Sequence, residues 1–427
     1  MPGSADVLIA GGGIIGSSLA WALASRGITG IVVVDLDLAG VYASSELNAG
    51  GARATWWQRV NIETCRATLD FFREHAGDFG FDERGYLWLY DDADLHRRAL
   101  EKRALQNEFG LDVEALSPEA VRERFPVIDR HCEELVGATY SPRDGLVNPN
   151  AVRRWYRAEA EALGVVFLNR HYISGLSTGL RSGPSGSLRR VTGVDVVEVA
   201  RRSLAEDERD LREILVHHRV DAALHVSESH VACERVVNCL GAWSPIFSAK
   251  VGVSDMSEPV RRQISLVDVH AHDVRAGVEL PKLGMIVDPS GLYLHGEGAY
   301  VLAGYSTPAE PSGFDFEYDG RAFFERELWP RLAHRASSFE RCHHVRGWAG
   351  LYAVTPDRSG IAGTVAGFAD LYEAHAFTGR GVMQSYAIGQ AMADLIAAGR
   401  FERFDLSPLS RERFADPERW VREELHI

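Results

Sequence analysis

Apolar positions along the chain alternate between two kinds of run. Val7-Leu-Ile-Ala10 is a short apolar stretch that ends in Gly11-Gly-Gly13. The residues after it put Ile15, Leu19, Ala22 and Leu23 on one helical stripe that stops at Gly27. Ile31-Val-Val-Val-Asp35 follows, a β-branched run of the kind buried on both faces of a parallel sheet. Strand, helix and strand in this compass make a βαβ unit. Further along, the pattern predicts helices over 61–77, 95–109 and 151–163 and strands at 87–90 and 165–168. Ser117 and Pro118 read as the N-cap and first position of a short helix. Thr178 to Ser187, with Gly179, Gly183, Pro184 and Gly186, reads as a loop, and the charge-dense Arg201 to Glu213 as a solvated helix or hairpin arm. Arg235-Val-Val-Asn-Cys-Leu-Gly241 repeats the strand-then-glycine pattern, while Gly284 to Leu294 and Tyr300 to Gly304 read as antiparallel strands. A last helix, striped by Ile388, Ala391, Met392, Leu395 and Ile396, follows Gly379-Arg-Gly381 and ends at Gly399. The expected architecture is α/β: a nucleotide-binding domain assembled from separated segments, with a mostly antiparallel second domain inserted into it.

Composition narrows this little. The 427 residues suggest two or three domains, and 46% hydrophobic residues with 25% charged ones describe an ordinary globular chain. The charge matters more. Lys and Arg number 46 against 60 Asp and Glu, a net −14 that repels polyanions, so no nucleic acid is expected as partner. The five cysteines, Cys65, Cys132, Cys233, Cys239 and Cys342, show no CxxC spacing. A disulfide framework is not expected, and free thiols fit the cytoplasm. No apolar run is long enough to span a membrane, and the N-terminal run lacks the basic residues of a signal peptide.

Chemistry enters with Gly11-x-Gly13-x-x-Gly16. The first glycine allows the tight turn, the second lets backbone approach a pyrophosphate, and the third lets helix pack on strand. The helix N-terminus offers free N–H groups, here those of Ile14 and Ile15. Asp35, 19 residues past Gly16, stands where an acid accepts hydrogen bonds from a ribose diol. The fingerprint does not separate FAD from NAD. The second glycine-helix junction, Gly379-Arg380-Gly381-Val382-Met383-Gln384, favours FAD, because a second helix N-terminus suits the electron-rich pyrimidine end of a flavin.

These motifs resemble the D-amino-acid oxidase superfamily, on the sarcosine oxidase and dimethylglycine dehydrogenase side. The chain is most similar to the FAD-dependent oxidoreductase domain-containing protein 1 group. The resemblance runs over nearly the whole chain, through Ser44-Ser-Glu-Leu-Asn-Ala-Gly50-Gly51-Ala-Arg53, Tyr140 to Pro149, Val236 to Ser244, Asp288 to Tyr293, Trp348 to Asp357 and the Gly379 junction. It implies a discontinuous Rossmann-like FAD-binding domain of the glutathione-reductase type over 1–85, 141–255 and 340–427. It implies an inserted antiparallel substrate domain over 86–140 and 256–339. It further implies that Ser44, Ser45, Asn48, Ala49, Gly50 and Gly51 pass along the flavin. Ile173 meets the adenine, Gly241 and Trp243 lie near ribityl and pyrophosphate, and Gly379 to Gln384 line the pyrimidine. Relatives attach FAD covalently through a His or a Cys at positions held here by Asn48 and Gly350, so the FAD is expected to be noncovalent.

The implied activity is oxidation of the C–N bond of a small, N-substituted amino acid: sarcosine, dimethylglycine, iminodiacetate or a cyclic imino acid. Hydride passes to flavin N5, the imine hydrolyses, and O2 or an electron-transfer acceptor reoxidises the flavin. Arg53 is the expected carboxylate anchor, with loop bonding an equal alternative. Tyr293, Tyr305 and Tyr352 are candidates to orient substrate, with His295 and Arg262 weaker ones. Arg380 stands where relatives often carry His, and a permanently charged group suits a proton relay poorly. Lys282 lies near the region from which sarcosine oxidases place a lysine over the flavin, although a surface lysine is the default. His217-His218, His270-Ala-His272 and Cys342-His343-His344 show no matched half-sites, so no metal is expected. Two other readings stand beside this one: a flavoprotein acting mainly as a respiratory-complex assembly or partner-binding factor, and an NAD-dependent dehydrogenase.

Overall fold

The computed structural model describes residues 1–427 apart from 184, 185, 308, 417, 419, 426 and 427. Its first sheet is built on five parallel strands in the order Leu371–His375, His225–Asn238, Ser4–Ala10, Ile31–Asp35, Val166–Asn169. Ile361–Thr364 closes one edge antiparallel. The predicted βαβ unit is therefore at the centre. Val7 and Ile9 point into one core and Leu8 and Ala10 into another, which is why the run carries no polar alternation.

The first core is covered by helices Ile14–Ala24, Arg59–Glu74, Pro149–Ala162 and Gly381–Ala398. Trp21, Phe71, Trp155, Tyr156 and Tyr386 interlock there, with Phe71 and Tyr386 stacked at 4.5 Å. The other face is covered by a long antiparallel hairpin, His171–Gly183 with Gly186–Val199, that continues along the first half of His225–Asn238. This corrects the loop expected over Thr178 to Ser187. Pro184 and Ser185, within the expected loop, lie outside the described residues. The flanking residues are held as strands by each other, a pairing that local pattern does not record. The charged segment forms helix Leu204–His217.

The second sheet runs His343–Val354, Glu258–Asp268, Tyr300–Tyr305, Leu292–Glu297, Met285–Val287, Tyr86–Tyr90, Gly137–Ser141, Glu114–Leu116. Every neighbour pair is antiparallel except Met285–Val287 with Tyr86–Tyr90. Strand His343–Val354 falls within the segment assigned from sequence to the nucleotide domain, yet it pairs along Glu258–Asp268 in the second sheet. One face of this sheet buries Tyr86, Trp88, Met285 and Tyr293 toward the first domain. The other packs Leu87, Leu294 and Ala303 under helices Pro118–Arg124 and Trp329–Arg335. Among the described residues no helix is long and apolar enough to cross a membrane.

Candidate functional site

A long cleft runs across the carboxyl ends of the parallel strands, where open α/β sheets bind ligands. It encloses about 1570 Å³ of empty space, its open mouth included. One end is formed by Gly11, Gly13, Ile14, Ile15, Asp35 and Ile173, the other by Ser44, Ser45, Asn48, Tyr352, Gly379, Gly381 and Val382, with Gly241 and Trp243 between.

The glycines of the first end do different jobs. Gly11 has φ +101, and a Cβ there would lie 2.5 Å from the Cys239 carbonyl oxygen. A Cβ on Gly16 would lie 1.9 Å from the carbonyl oxygen of Gly11, so this residue closes the turn rather than lining the cleft. A Cβ on Gly13 would meet nothing within 4 Å. Protein packing does not demand glycine at 13, so the open space in front of it is room for something else. Helix Ile14–Ala24 has no side-chain cap, which leaves its first N–H groups free for an anion. Asp35 accepts the Gly12 N–H at 2.5 Å and the Asp37 N–H at 2.8 Å. Burial pushes its carboxyl up, and these two N–H groups pull it back part of the way. Each oxygen keeps a lone pair for a hydroxyl donor. A glycine turn, an uncapped helix and an acid on the next strand fit an adenosine diphosphate half.

At the other end, the last part of strand His343–Val354, still paired with Glu258–Asp268 in the second sheet, brings Leu351, Tyr352 and Ala353 to the cleft wall. The Ser44 hydroxyl donates to the Leu351 carbonyl at 2.6 Å, and Thr378 N–H donates to Ala353 at 3.1 Å. Gly379 has φ +80 and sits where a Cβ would strike the Tyr352 ring at 2.6 Å. Helix Gly381–Ala398 also lacks a side-chain cap. The planar end of a flavin fits this junction, between the 43–48 segment and Gly379.

Several expected residues are not in the cleft lining, and one that is, Asn48, is turned to the backbone. Ala49 is held by His295, whose Nε2 lies 2.8 Å from its carbonyl oxygen. Asn48 turns its side-chain oxygen to the Gly50 N–H at 2.7 Å, and Gly51 packs on the Tyr86 hydroxyl. Gly350 faces Leu47, where a Cβ would lie 2.9 Å from the leucine Cβ. Met383 is core, and Gln384 donates to Asn61 and Thr64.

The substrate candidates divide more sharply. Arg53 does not face the cleft. Its guanidinium is buried over the Trp56 ring at 3.4 Å and donates to the carbonyls of Thr55 at 2.8 Å and Leu425 at 2.6 Å. Burial lowers its pKa. Two of its five N–H donors go to these carbonyls and it is not part of the cleft lining, which favours the loop-bonding alternative over the anchor role. Arg380 is wholly buried on the other side of that neighbourhood, 4.4 Å from the Trp56 ring, donating to the Arg358 carbonyl. Burial pushes it down to about 10. Its Nε and Nη2 have no hydrogen-bond partner among the described residues. Lys282 pairs with Glu279 at 2.7 Å with its side chain 75% exposed, a surface ion pair far from the flavin role. Tyr305 lies on the outer face of the second sheet under Arg331, at 3.8 Å. The period of two along a strand explains this: Tyr293 and Tyr305 sit on neighbouring strands but in opposite orientations.

Of the expected substrate residues Tyr352 lines the cleft, and Tyr293 and the weaker candidate Arg262 stand beside it. Arg262, half-buried on Glu258–Asp268, lies 5.4 Å from the ring of Tyr352. Tyr293 is close enough to feel both. Arg358 feels the positive charges of Arg422 and Arg262. Burial holds both Tyr293 and Tyr352 phenols protonated, well above the ordinary value for Tyr293. Lys250 and Arg153 also reach the cleft and escaped the sequence reading. Arg153 bonds the Leu38 and Ala39 carbonyls, contacts with no local signature.

The FAD dependent oxidoreductase family model matches residues 6–395. The chain belongs to that family. It is 28% identical to the Bos taurus FAD-dependent oxidoreductase domain-containing protein 1 over 97% of this chain and 85% of that protein. It is 23% identical to mitochondrial sarcosine dehydrogenase of Mus musculus, over all of this chain and 43% of that one. Its fold is that of L-proline dehydrogenase from P. horikoshii, with TM-score 0.79, 21% identity and coverage of 99% and 100% of the two chains. Membership makes the protein an FAD-dependent oxidoreductase and FAD the ligand that the cleft geometry fits.

Proposed function

We propose that this flavoprotein oxidises the C–N bond of a small secondary or tertiary amino acid whose carboxylate is held by Arg262. The observation that carries the reading is the Arg262 guanidinium beside the Tyr352 ring at the flavin end of the cleft. Its Nη1 donates to the Arg261 carbonyl at 2.9 Å, but the half-buried guanidinium has further N–H donors for a carboxylate, and it is less enclosed than that of Arg53. Arg358 and Arg422 add local positive charge, which an anionic substrate needs to approach a chain of net charge −14. The protonated hydroxyls of Tyr352 and Tyr293 are donors, so they orient substrate and do not serve as bases. The similarity to a sarcosine dehydrogenase and the shared fold of a proline dehydrogenase both favour N-substituted or cyclic substrates.

FAD, when bound, supplies the two-electron acceptor. The chain's part is to hold it and to grip the substrate at two points, so that the Cα–H approaches at a fixed angle. In this reading Gly13, Ile14 and Ile15 meet the pyrophosphate, Asp35 the ribose, and Gly379, Gly381 and Val382 the flavin. Asn48 and Gly350 form no bond to it, so acid precipitation leaves all the yellow colour in the supernatant.

The test is anaerobic titration of the flavin with sarcosine, dimethylglycine, iminodiacetate and proline beside glycine and alanine. Bleaching by the first four in preference to the primary amines supports the reading. No bleaching by any amine, together with stable capture of respiratory-complex subunits, transfers the weight to a partner-binding role.

A further inference from the structure

Among the described residues, two groups bring histidine and carboxylate ligand atoms within 4.8 Å of one another. The buried one, Asp255, Glu373 and His375, already has its cation. The Arg411 guanidinium meets Glu373 through Nε at 2.7 Å and Asp255 through Nη2 at 3.2 Å. A metal ion would have to displace it.

The other group is different. Glu134 reaches His334 Nε2 with one carboxylate oxygen at 2.9 Å and His131 Nδ1 with the other at 3.4 Å. The two imidazole rings are stacked, with centroids 4.0 Å apart and planes within 3° of parallel. All three side chains are close to half exposed, at 43–46%, so an ion can reach them from solvent. Glu133 adds a second carboxylate 3.8 Å from His131 Nδ1. The nearest cation, Arg335, is 4.0 Å from Glu134 and is committed elsewhere, through Nε to Asp288 at 2.6 Å and through Nη1 to the His131 carbonyl at 2.7 Å.

We propose that His131, Glu134 and His334 bind a borderline divalent transition ion, Zn²⁺ in the first instance, with water completing the shell. Two imidazoles and one carboxylate are a nitrogen–oxygen donor set that zinc accepts in tetrahedral geometry with an open position. Glu134 already lies within reach of both ring nitrogens; because the rings are stacked in parallel planes, one exposed imidazole turns about its side-chain torsions to bring both lone pairs onto the ion. His131 and His334 are far apart in sequence, and the site ties the segment before Gly137–Ser141 to the end of helix Trp329–Arg335 on the outer face of the second sheet. Arg335 carries that tie inward, since its partner Asp288 opens the turn before Leu292–Glu297, the strand of Tyr293. The ion is structural here and lies away from the FAD cleft.

The experiment uses untagged, chelator-washed, FAD-loaded protein titrated with ZnCl₂ by calorimetry, with thermal unfolding followed by flavin fluorescence. One ion per chain and a rise in Tm are expected, because a ligand bound only by the folded state stabilises it. His131→Asn, chosen because residue 131 has φ +52 and asparagine tolerates that conformation, should weaken zinc at least about tenfold, as should His334→Gln. His270→Gln, in the separate group of His270, His272 and His343, should leave affinity unchanged. Unchanged zinc affinity in both His131→Asn and His334→Gln overturns the proposal, and so does loss of binding in His270→Gln alone.

Discussion

The two ends of the cleft solve their problems by different means. At the adenosine end the working parts lie within one contiguous βαβ unit, and each depends on backbone: a turn at Gly11, a close approach at Gly16, open space at Gly13, an acid at the end of the next strand. At the flavin end the wall is made by segments from three places, 43–48, 351–353 and 378–382. The decisive side chains there are arginines. Arg53, Arg262 and Arg380 are chemically alike and each donates to a backbone carbonyl, yet two are buried against the Trp56 ring while the half-buried third stands beside Tyr352 of the cleft wall. A glycine's role follows from its own backbone. An arginine's role follows from which partner reaches it first.

The comparison breaks most visibly at Gly16. Gly16→Val places carbon atoms inside the Gly11 carbonyl, so soluble folded protein should be largely lost on expression, measured by yield and circular dichroism. A folded, yellow Gly16→Val protein would show that the turn is looser than its geometry. At the other end, Arg262→Met should lower kcat/KM by at least about a hundredfold, about 2.7 kcal/mol, with FAD content unchanged. Arg53→Met should instead lower stability by about 1–3 kcal/mol in denaturant titration, since the Thr55 and Leu425 carbonyls lose their donor. If the two variants exchange phenotypes, the assignment of the anchor is reversed.

Gly13→Ala is the finer test. Its Cβ meets no protein atom, so apoprotein stability should stay within about 0.5 kcal/mol of wild type. FAD should bind about tenfold more weakly, because the methyl group occupies the ligand's space. The smallest effect concerns acid. Burial pushes the Glu373 carboxyl up, but hydrogen bonds from His375 and Arg411 more than offset it and hold it below its ordinary 4.5. A depressed carboxyl stabilises the fold above that value, and the contribution is lost as pH falls from 4.5 through the folded-state value. Glu373→Gln should therefore flatten the loss of Tm below pH 4.5 without steepening it above.

The amino-acid sequence by itself determined the elements whose causes are local. The fingerprint strand and helix, the Ser117 cap that accepts the Ala120 N–H, and the last helix closing at Gly399 with φ +74 are all set by residues a few positions apart. Tertiary structure decided the rest. Thr178 to Gly183, expected as loop, became strand because a partner strand supplied its hydrogen bonds. Tyr305 turned outward because its register on the second sheet opposes that of Tyr293. Arg53 was drawn inward because Leu425, at the far end of the chain, brought a carbonyl to it. Backbone conformation is a property of neighbours in sequence. The fate of a long charged side chain is a property of neighbours in space, and those exist only once the two sheets have met.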